Sequence, residues 1–161
     1  MSEYSGKLIV KKKDRFCFIV SRFHSHITFE MLRGAKEFLK RCGAEENQID
    51  VFIVPGSIEI VSAFSFLKDK YPEKYNAFLV LGCIIEGETE HHTHVARESI
   101  KNVIEIAKSK GIPLGMGIIT VSETIQGIER SGGKMGNRGE NAAAAMLELL
   151  RLKEEVQNNI N

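Results

Sequence analysis

This 161-residue chain has no CxxC pair, no excess of charge of either sign and no apolar run of membrane length. Each absence removes a class of function. The three cysteines, Cys17, Cys42 and Cys83, are odd in number and widely spaced, which is not the pattern of a small disulfide scaffold. Cys17 and Cys83 lie inside apolar runs, where a free thiol behaves as a small hydrophobe. With 22 Lys and Arg against 21 Asp and Glu, the net charge of +1 offers no electrostatic argument for nucleic acid or an anionic membrane. The run Lys11, Lys12, Lys13 is short, is followed by Asp14, and reads as a solvated approach to a strand. The N-terminal stretch MSEYSGKLIVKKK carries no leader signature, so a reducing cytoplasm is the expected location. HExxH and Walker patterns are also missing.

Four compact apolar runs are present: FCFIV (16–20), VFIV (51–54), FLVLGCII (78–85) and GMGIIT (115–120). Short continuous runs of this kind read as strands buried on both faces. Helical spacing fills the intervals. Met31, Leu32, Ala35, Phe38 and Leu39 recur at three and four before Gly43. A second helix is expected from about Ile58 to Lys70, ahead of Pro72. The third has Val95, Ala96, Ser99, Ile100, Val103, Ile104 and Ala107 on one face and ends at Gly111. A short helix over Thr124 to Arg130 precedes SGGKMGNRG, and a last one starts near Glu140.

Strands alternating with helices imply an α/β three-layer sandwich, a parallel, flavodoxin-like sheet of four to five strands covered on both faces. The expectation is one domain over 1–161, with 1–13 an extended arm and 152–161 a fraying tail. KLIV (7–10) is a candidate edge strand, free to add to a neighbouring subunit's sheet.

Ligands in such sheets bind where the carboxyl ends of the strands enter the helices. The loops there are SRFHSHIT (21–28), PGSIEI (55–60), IEGETEHHT (85–93) and TVSET (120–124). Every histidine lies in or just after one of them. His91 and His94 could share a helix face with Glu98, but His92 and Glu90 point elsewhere, so no metal is expected. His92 and His94 read as solvated polar residues. Gly87, Glu88 and Thr89 can expose backbone N–H groups to an anion such as phosphate, or can simply cap the following helix. If the anion reading holds, His91 stands close enough to pass protons to a phosphate-bearing substrate.

Glu59, beside Ser57, either compensates a helix dipole or accepts hydrogen bonds from a polyhydroxyl or amine ligand. Phe23 is either a stacking platform or a cover over the core edge. Arg130, Lys134 and Arg138 lie in or beside the glycine-rich stretch, which contacts phosphate or only turns the chain.

Taken together, RFHSHIT, VPGSIEI, LGCIIEGETEHHTHVARES and IERSGGKMGNRGENAAAAMLEL resemble, in order and in the same loops, the motifs of the lumazine synthase family. The resemblance spans roughly residues 14 to 150. It implies a transferase that condenses 5-amino-6-(D-ribitylamino)uracil with 3,4-dihydroxy-2-butanone 4-phosphate to 6,7-dimethyl-8-ribityllumazine, the penultimate step of riboflavin biosynthesis. It implies that Phe23 stacks on the pyrimidine, and that Ser57, Ile58 and Glu59 hold the ribityl chain. Cys83, Ile84, Ile85, Met116 and Arg138 would complete that pocket. Gly87, Glu88 and Thr89, with Arg130 from the adjacent subunit, would bind phosphate, and His91 would transfer protons.

No cofactor and no metal are implied. Implied partners are copies of the chain itself, in pentamers with sites between neighbours or in a shell of twelve pentamers, and riboflavin synthase. Met116 departs from the family's usual aromatic, Arg138 from its usual lysine, and Ser122 with Glu123 from its Thr-x-Asp-Thr pattern. A flavin- or riboflavin-binding paralogue without catalysis is the rival reading; a histidine-cluster metallohydrolase and an inactive shell protein are more distant ones.

Overall fold

Alternation along two strands explains why the chain forms a covered sheet. The computed structural model describes residues 1, 3–86 and 91–159, and of residues 91–93 the backbone alone. Strands β1 (Phe16–Ser21), β2 (Ile49–Val54), β3 (Ala77–Ile85) and β4 (Leu114–Val121) form a parallel sheet in the order β2-β1-β3-β4. In register, Phe18 stands opposite Val51 on one side and Leu79 on the other. Phe16, Phe18, Val20, Leu79 and Leu81 face one layer, where Ile27, Met31, Ala35 and Leu39 of α1 (Ser25–Arg41) meet Ala143, Met146 and Leu147 of α5 (Arg138–Asn159). Cys17, Ile19, Phe78 and Val80 face the other. There α2 (Ser57–Lys70) supplies Ile60, Ala63, Phe64 and Leu67, and α3 (His91–Lys110) supplies Ala96, Val103 and Ala107.

Each large apolar side chain fully buried in this way contributes roughly 1.5–3 kcal/mol. Two apolar faces on β1 and β3 therefore require helices on both sides, and the result is a three-layer α/β, flavodoxin-like fold.

The alanine run of α5 reflects a close approach. A Cβ on Gly115 of β4 would lie 2.4 Å from the carbonyl oxygen of Ala142, so backbone meets backbone there. Only small residues on both elements allow that contact.

Several expectations are corrected. The 51–54 run is not buried on both faces: β2 is an edge strand and Ile53 is 47% exposed. An edge strand has a neighbour on one side only, which composition cannot reveal. Residues 7–10 form no strand in the single chain; Val10 N–H donates to Cys42 O at 2.9 Å. The glycine-rich stretch holds a small antiparallel hairpin, β5 (Ser131–Gly133) with β6 (Gly136–Asn137), after α4 (Thr124–Arg130).

The terminal helix runs to Asn159. Its last turns are tied down by Arg151 and Glu154. The Arg151 guanidinium donates to buried Asp14 at 2.5 Å and to Glu154 at 2.8 Å, and Lys11 donates to Glu154 at 2.5 Å. Burial works against the charge on Glu154, but Lys11, Arg151 and Lys13 together hold its carboxyl below the usual carboxylate range.

Candidate functional site

Two backbone hydrogen bonds carry the pairing of β1 and β2 past the end of the strands. Arg22 N–H donates to Val54 O at 2.7 Å and Phe23 N–H donates to Pro55 O at 2.9 Å. They draw loop 21–28 against loop 55–60, so the residues after β1 and β2 share one mouth at the carboxyl end of the sheet. The Thr28 hydroxyl donates to Ser21 O at 2.7 Å and closes the first loop back onto its strand.

At this mouth lies a cavity of about 270 Å³. Loop 21–28 contributes Phe23 and His24, the start of α2 contributes Gly56, Ser57, Ile58 and Glu59, the end of β3 contributes Cys83, Ile84 and Ile85, and α3 contributes Val95. The Phe23 ring is 63% exposed, a large apolar face offered to solvent beside the cavity. The ring and the Glu59 carboxylate come together over Gly56, where a Cβ would lie 2.8 Å from Phe23 Cδ2 and 3.0 Å from Glu59 Oε2. Among the described residues no side chain caps α2 at Gly56, and the N-terminus of that helix, with its first N–H groups, borders the cavity.

An aromatic face, a row of main-chain donors and a carboxylate acceptor suit a flat heterocycle bearing a hydroxylated chain. Cys83 adds no nucleophile, because burial pushes its thiol up to about 11 and keeps it protonated near neutrality.

Thus Phe23, Ser57, Ile58, Glu59, Cys83, Ile84 and Ile85, singled out from the sequence, line one cavity. Three others stand apart from it in the single chain. Met116 is half-buried in β4, Arg130 donates from Nη1 to Gln126 O at 3.1 Å, and Arg138 is exposed at the start of α5. Gly87, Glu88 and Thr89 and the side chains of His91 and His92 lie outside the described residues; His94 is exposed. Among the described residues no group of three His, Cys, Asp or Glu gathers as a metal site would. A wider groove of about 680 Å³ between α3 and β4, walled by Ile100, Ile104 and Thr120, holds none of the candidates.

His24 went unassigned in the sequence. It lines the cavity, and it adopts the left-handed conformation (φ 57°, ψ 45°) at the entrance to α1. Its position beside Phe23 was the available signal. Asn137, in the glycine-rich stretch, has a structural task. Its Oδ1 accepts from the N–H groups of Gly139 (2.9 Å) and Glu140 (3.1 Å), capping α5, and its Nδ2 donates to Glu30 O at 3.0 Å. At the other end of the loop system, Glu123 and Gln126 form a reciprocal capping box for α4, which gives the departure at Ser122 and Glu123 a local role.

Comparison with known proteins shows the family. Residues 13–154 match the 6,7-dimethyl-8-ribityllumazine synthase family. A 6,7-dimethyl-8-ribityllumazine synthase of Wigglesworthia glossinidia brevipalpis is 38% identical over 153 residues, 94% of this chain and 97% of that relative. The enzyme of the same name from Halorhodospira halophila (strain DSM 244 / SL1) is 34% identical over 157 residues, 98% and 99% of the two chains. With the match spanning nearly every element of the fold, the chain belongs to the 6,7-dimethyl-8-ribityllumazine synthase family.

Proposed function

We propose that this chain is a transferase that condenses 5-amino-6-(D-ribitylamino)uracil with 3,4-dihydroxy-2-butanone 4-phosphate, giving 6,7-dimethyl-8-ribityllumazine and releasing phosphate and two molecules of water. The observation that carries this reading is the convergence of Phe23, Glu59 and the N-terminus of α2 on one cavity. The pyrimidine stacks on Phe23. The ribityl hydroxyls bond to Glu59 and to main-chain N–H groups at Ser57 and Ile58, with Cys83, Ile84 and Ile85 as the floor. Gly87, Glu88 and Thr89 take the phosphate.

In the reaction an amine adds to the ketone and water is lost. Phosphate leaves by elimination to an enol that becomes a carbonyl, and the second amine adds to that carbonyl and closes the ring with loss of a second water. His91 moves the protons, because an imidazole titrates near neutrality and can both give and accept them. Holding two substrates together supplies much of the rate.

A neighbouring copy completes the site. Met116, Arg130 and Arg138 do not line the cavity of their own chain, which fits residues that serve the next subunit of a pentamer. Arg130 then meets the phosphate, and Met116 covers the heterocycle. The short SGGKMGNRG segment suits pentamers that assemble further into a shell of twelve, which can house riboflavin synthase. Among the described residues no helix is long and apolar enough to cross a membrane, in keeping with work in the cytoplasm.

The test mixes purified protein with both substrates and follows the lumazine product optically against a protein-free blank, since the uncatalysed reaction also proceeds. Product well above the blank, lowered but not abolished by His91→Ala, is the expected result. Product at the blank rate would overturn the enzyme, and wild-type turnover by His91→Ala would overturn the role of His91.

A further inference from the structure

We infer that Asn137 is a positioning residue: it fixes the start of α5 so that Arg138 is carried away from its own subunit and into the cavity of a neighbouring copy. The inference rests on the reading of that cavity as a pyrimidine site completed by a second subunit.

Arg138 has no anchor of its own. Its side chain is exposed, it does not line the cavity of its own chain, and among the described residues no hydrogen bond or ion pair holds the guanidinium. Where that group can reach is therefore set by the backbone that carries it. The hairpin before it cannot fix that backbone alone. Its strands β5 and β6 have three and two residues, with a register irregularity between Ser131 and Gly133. A lone two-stranded hairpin is marginal in water.

The Asn137 amide supplies the missing constraint. Nδ2 donates across the hairpin to Ser131 O at 3.2 Å, and to Glu30 O of α1 at 3.0 Å. Oδ1 accepts from the N–H groups of Gly139 at 2.9 Å and Glu140 at 3.1 Å. One side chain thus joins the hairpin, α1 and α5, with both its donor and its acceptor engaged.

α1 is shaped around this amide. Gly34 lies inside that helix, where glycine is unfavourable, yet a Cβ there would run into the Asn137 side chain. On the far side of Arg138, a Cβ on Gly139 would run into the carbonyl group of Met31. Residues 137 and 139 are both seated on α1, so the α-carbon of Arg138 between them is held in place.

A helix cap alone does not ask for so much. Capping α5 needs only an oxygen, which a serine would provide as well. The two bonds from Nδ2 go beyond that task, and what they add is a fixed place for the start of α5 against α1. The candidate site residue at that place is Arg138, whose guanidinium donors suit the carbonyl oxygens of a pyrimidinedione.

The test measures the dissociation constant of the ribitylaminouracil by calorimetry, with KM for each substrate in turnover. Arg138→Ala should bind the pyrimidine about tenfold more weakly, and Asn137→Ala about fivefold. Once the guanidinium is gone there is nothing left to position, so the double variant should stay about tenfold weaker than wild type instead of reaching about fiftyfold. Asn137→Ser keeps a capping oxygen and loses both donors. It should match Asn137→Ala in affinity while lying closer to wild type in stability, with KM for the ketose phosphate within about twofold in every variant. For direction, Phe23→Ala is co-expressed with the double variant. Only mixed oligomers pair an intact cavity with a neighbour's Arg138, and at low substrate they should turn over about threefold faster than the mean of the two separate proteins.

Asn137→Ser binding as tightly as wild type would reduce Asn137 to a helix cap and overturn the assignment. Arg138→Ala binding like wild type, or single effects that multiply in the double variant, would show that Asn137 does not act through Arg138. Mixed oligomers no faster than that mean would place Arg138 in its own cavity. Each of these overturns the assignment with the synthase intact. Wild-type protein that neither binds the pyrimidine nor forms product would overturn the functional reading, and this assignment with it.

Discussion

The ring of Phe23 and the carboxylate of Glu59 meet over the α-carbon of Gly56, where a methyl group would come within 2.8 Å of the one and 3.0 Å of the other. Gly56 has extended backbone (φ −144°), so any residue can adopt its conformation and the need for glycine there is one of space. Gly56→Ala should therefore leave stability nearly unchanged, within about 1 kcal/mol, because the exposed Phe23 ring can swing away. The swing removes the stacking face, and ribitylaminouracil affinity should fall about tenfold. Thermal unfolding and ligand calorimetry on the same sample check both halves. Undiminished affinity would show that Phe23 is not the platform.

Much of this site could be read in the sequence because the fold gathers it simply. In a parallel sheet the loops after the strands converge at one end, so finding FCFIV, VFIV and FLVLGCII was enough to bring Phe23, Glu59 and Ile84 together. The helix Thr124–Arg130 is found with the boundaries its pattern implies. What escaped the sequence depends on long-range contacts or on backbone handedness. Composition does not tell an edge strand from an interior one, so the half-exposure of β2 was hidden. The tie between the terminal helix and the start of the chain runs through Asp14, 137 residues before Arg151. The left-handed turn at His24 has no periodic signature, and the β5–β6 hairpin has too few residues to alternate.

Asn137 joins three elements through one amide, and its variants can separate the contributions. Asn137→Ala loses both the α5 cap and the bond to Glu30 O, and should cost about 1–2 kcal/mol in a urea titration. Asn137→Asp keeps an oxygen for the N–H groups of Gly139 and Glu140 but loses the donor to Glu30 O at 3.0 Å. It should lie between alanine and wild type. An aspartate variant as unstable as alanine would show that the link to α1, not the cap, carries the effect.

Asp14 and Arg151 form a buried ion pair at 2.5 Å, with Asp14 fully enclosed and Arg151 6% exposed. Asp14→Ala strands the guanidinium beneath the surface with only Glu154 nearby, and should destabilise by about 3–5 kcal/mol. Replacing both partners, as Asp14→Leu with Arg151→Met, removes the desolvation of two charges and should recover most of that loss. The double variant being as unstable as the single would assign the pair a role beyond charge compensation, since Lys11 N–H also donates to the Asp14 carboxylate at 2.7 Å.

The buried thiols give stability a defined dependence on alkaline pH. Burial pushes Cys83 up to about 11 and raises Cys17 far above the usual thiol range, with the Asp50 carboxylate adding to burial and Lys74 opposing it. An unfolded thiol ionises near pH 8.5 or about there, before its folded counterpart. As pH rises the unfolded state therefore gives up its protons first and gains in population. The contribution from Cys83 is complete below about pH 8 and declines between about pH 9 and pH 11. Urea midpoints at pH 8 and pH 10 should show a smaller drop for Cys83→Ala than for wild type, whatever cost the lost sulfur adds at both. Equal drops in the two proteins would mean that Cys83 does not titrate differently on folding.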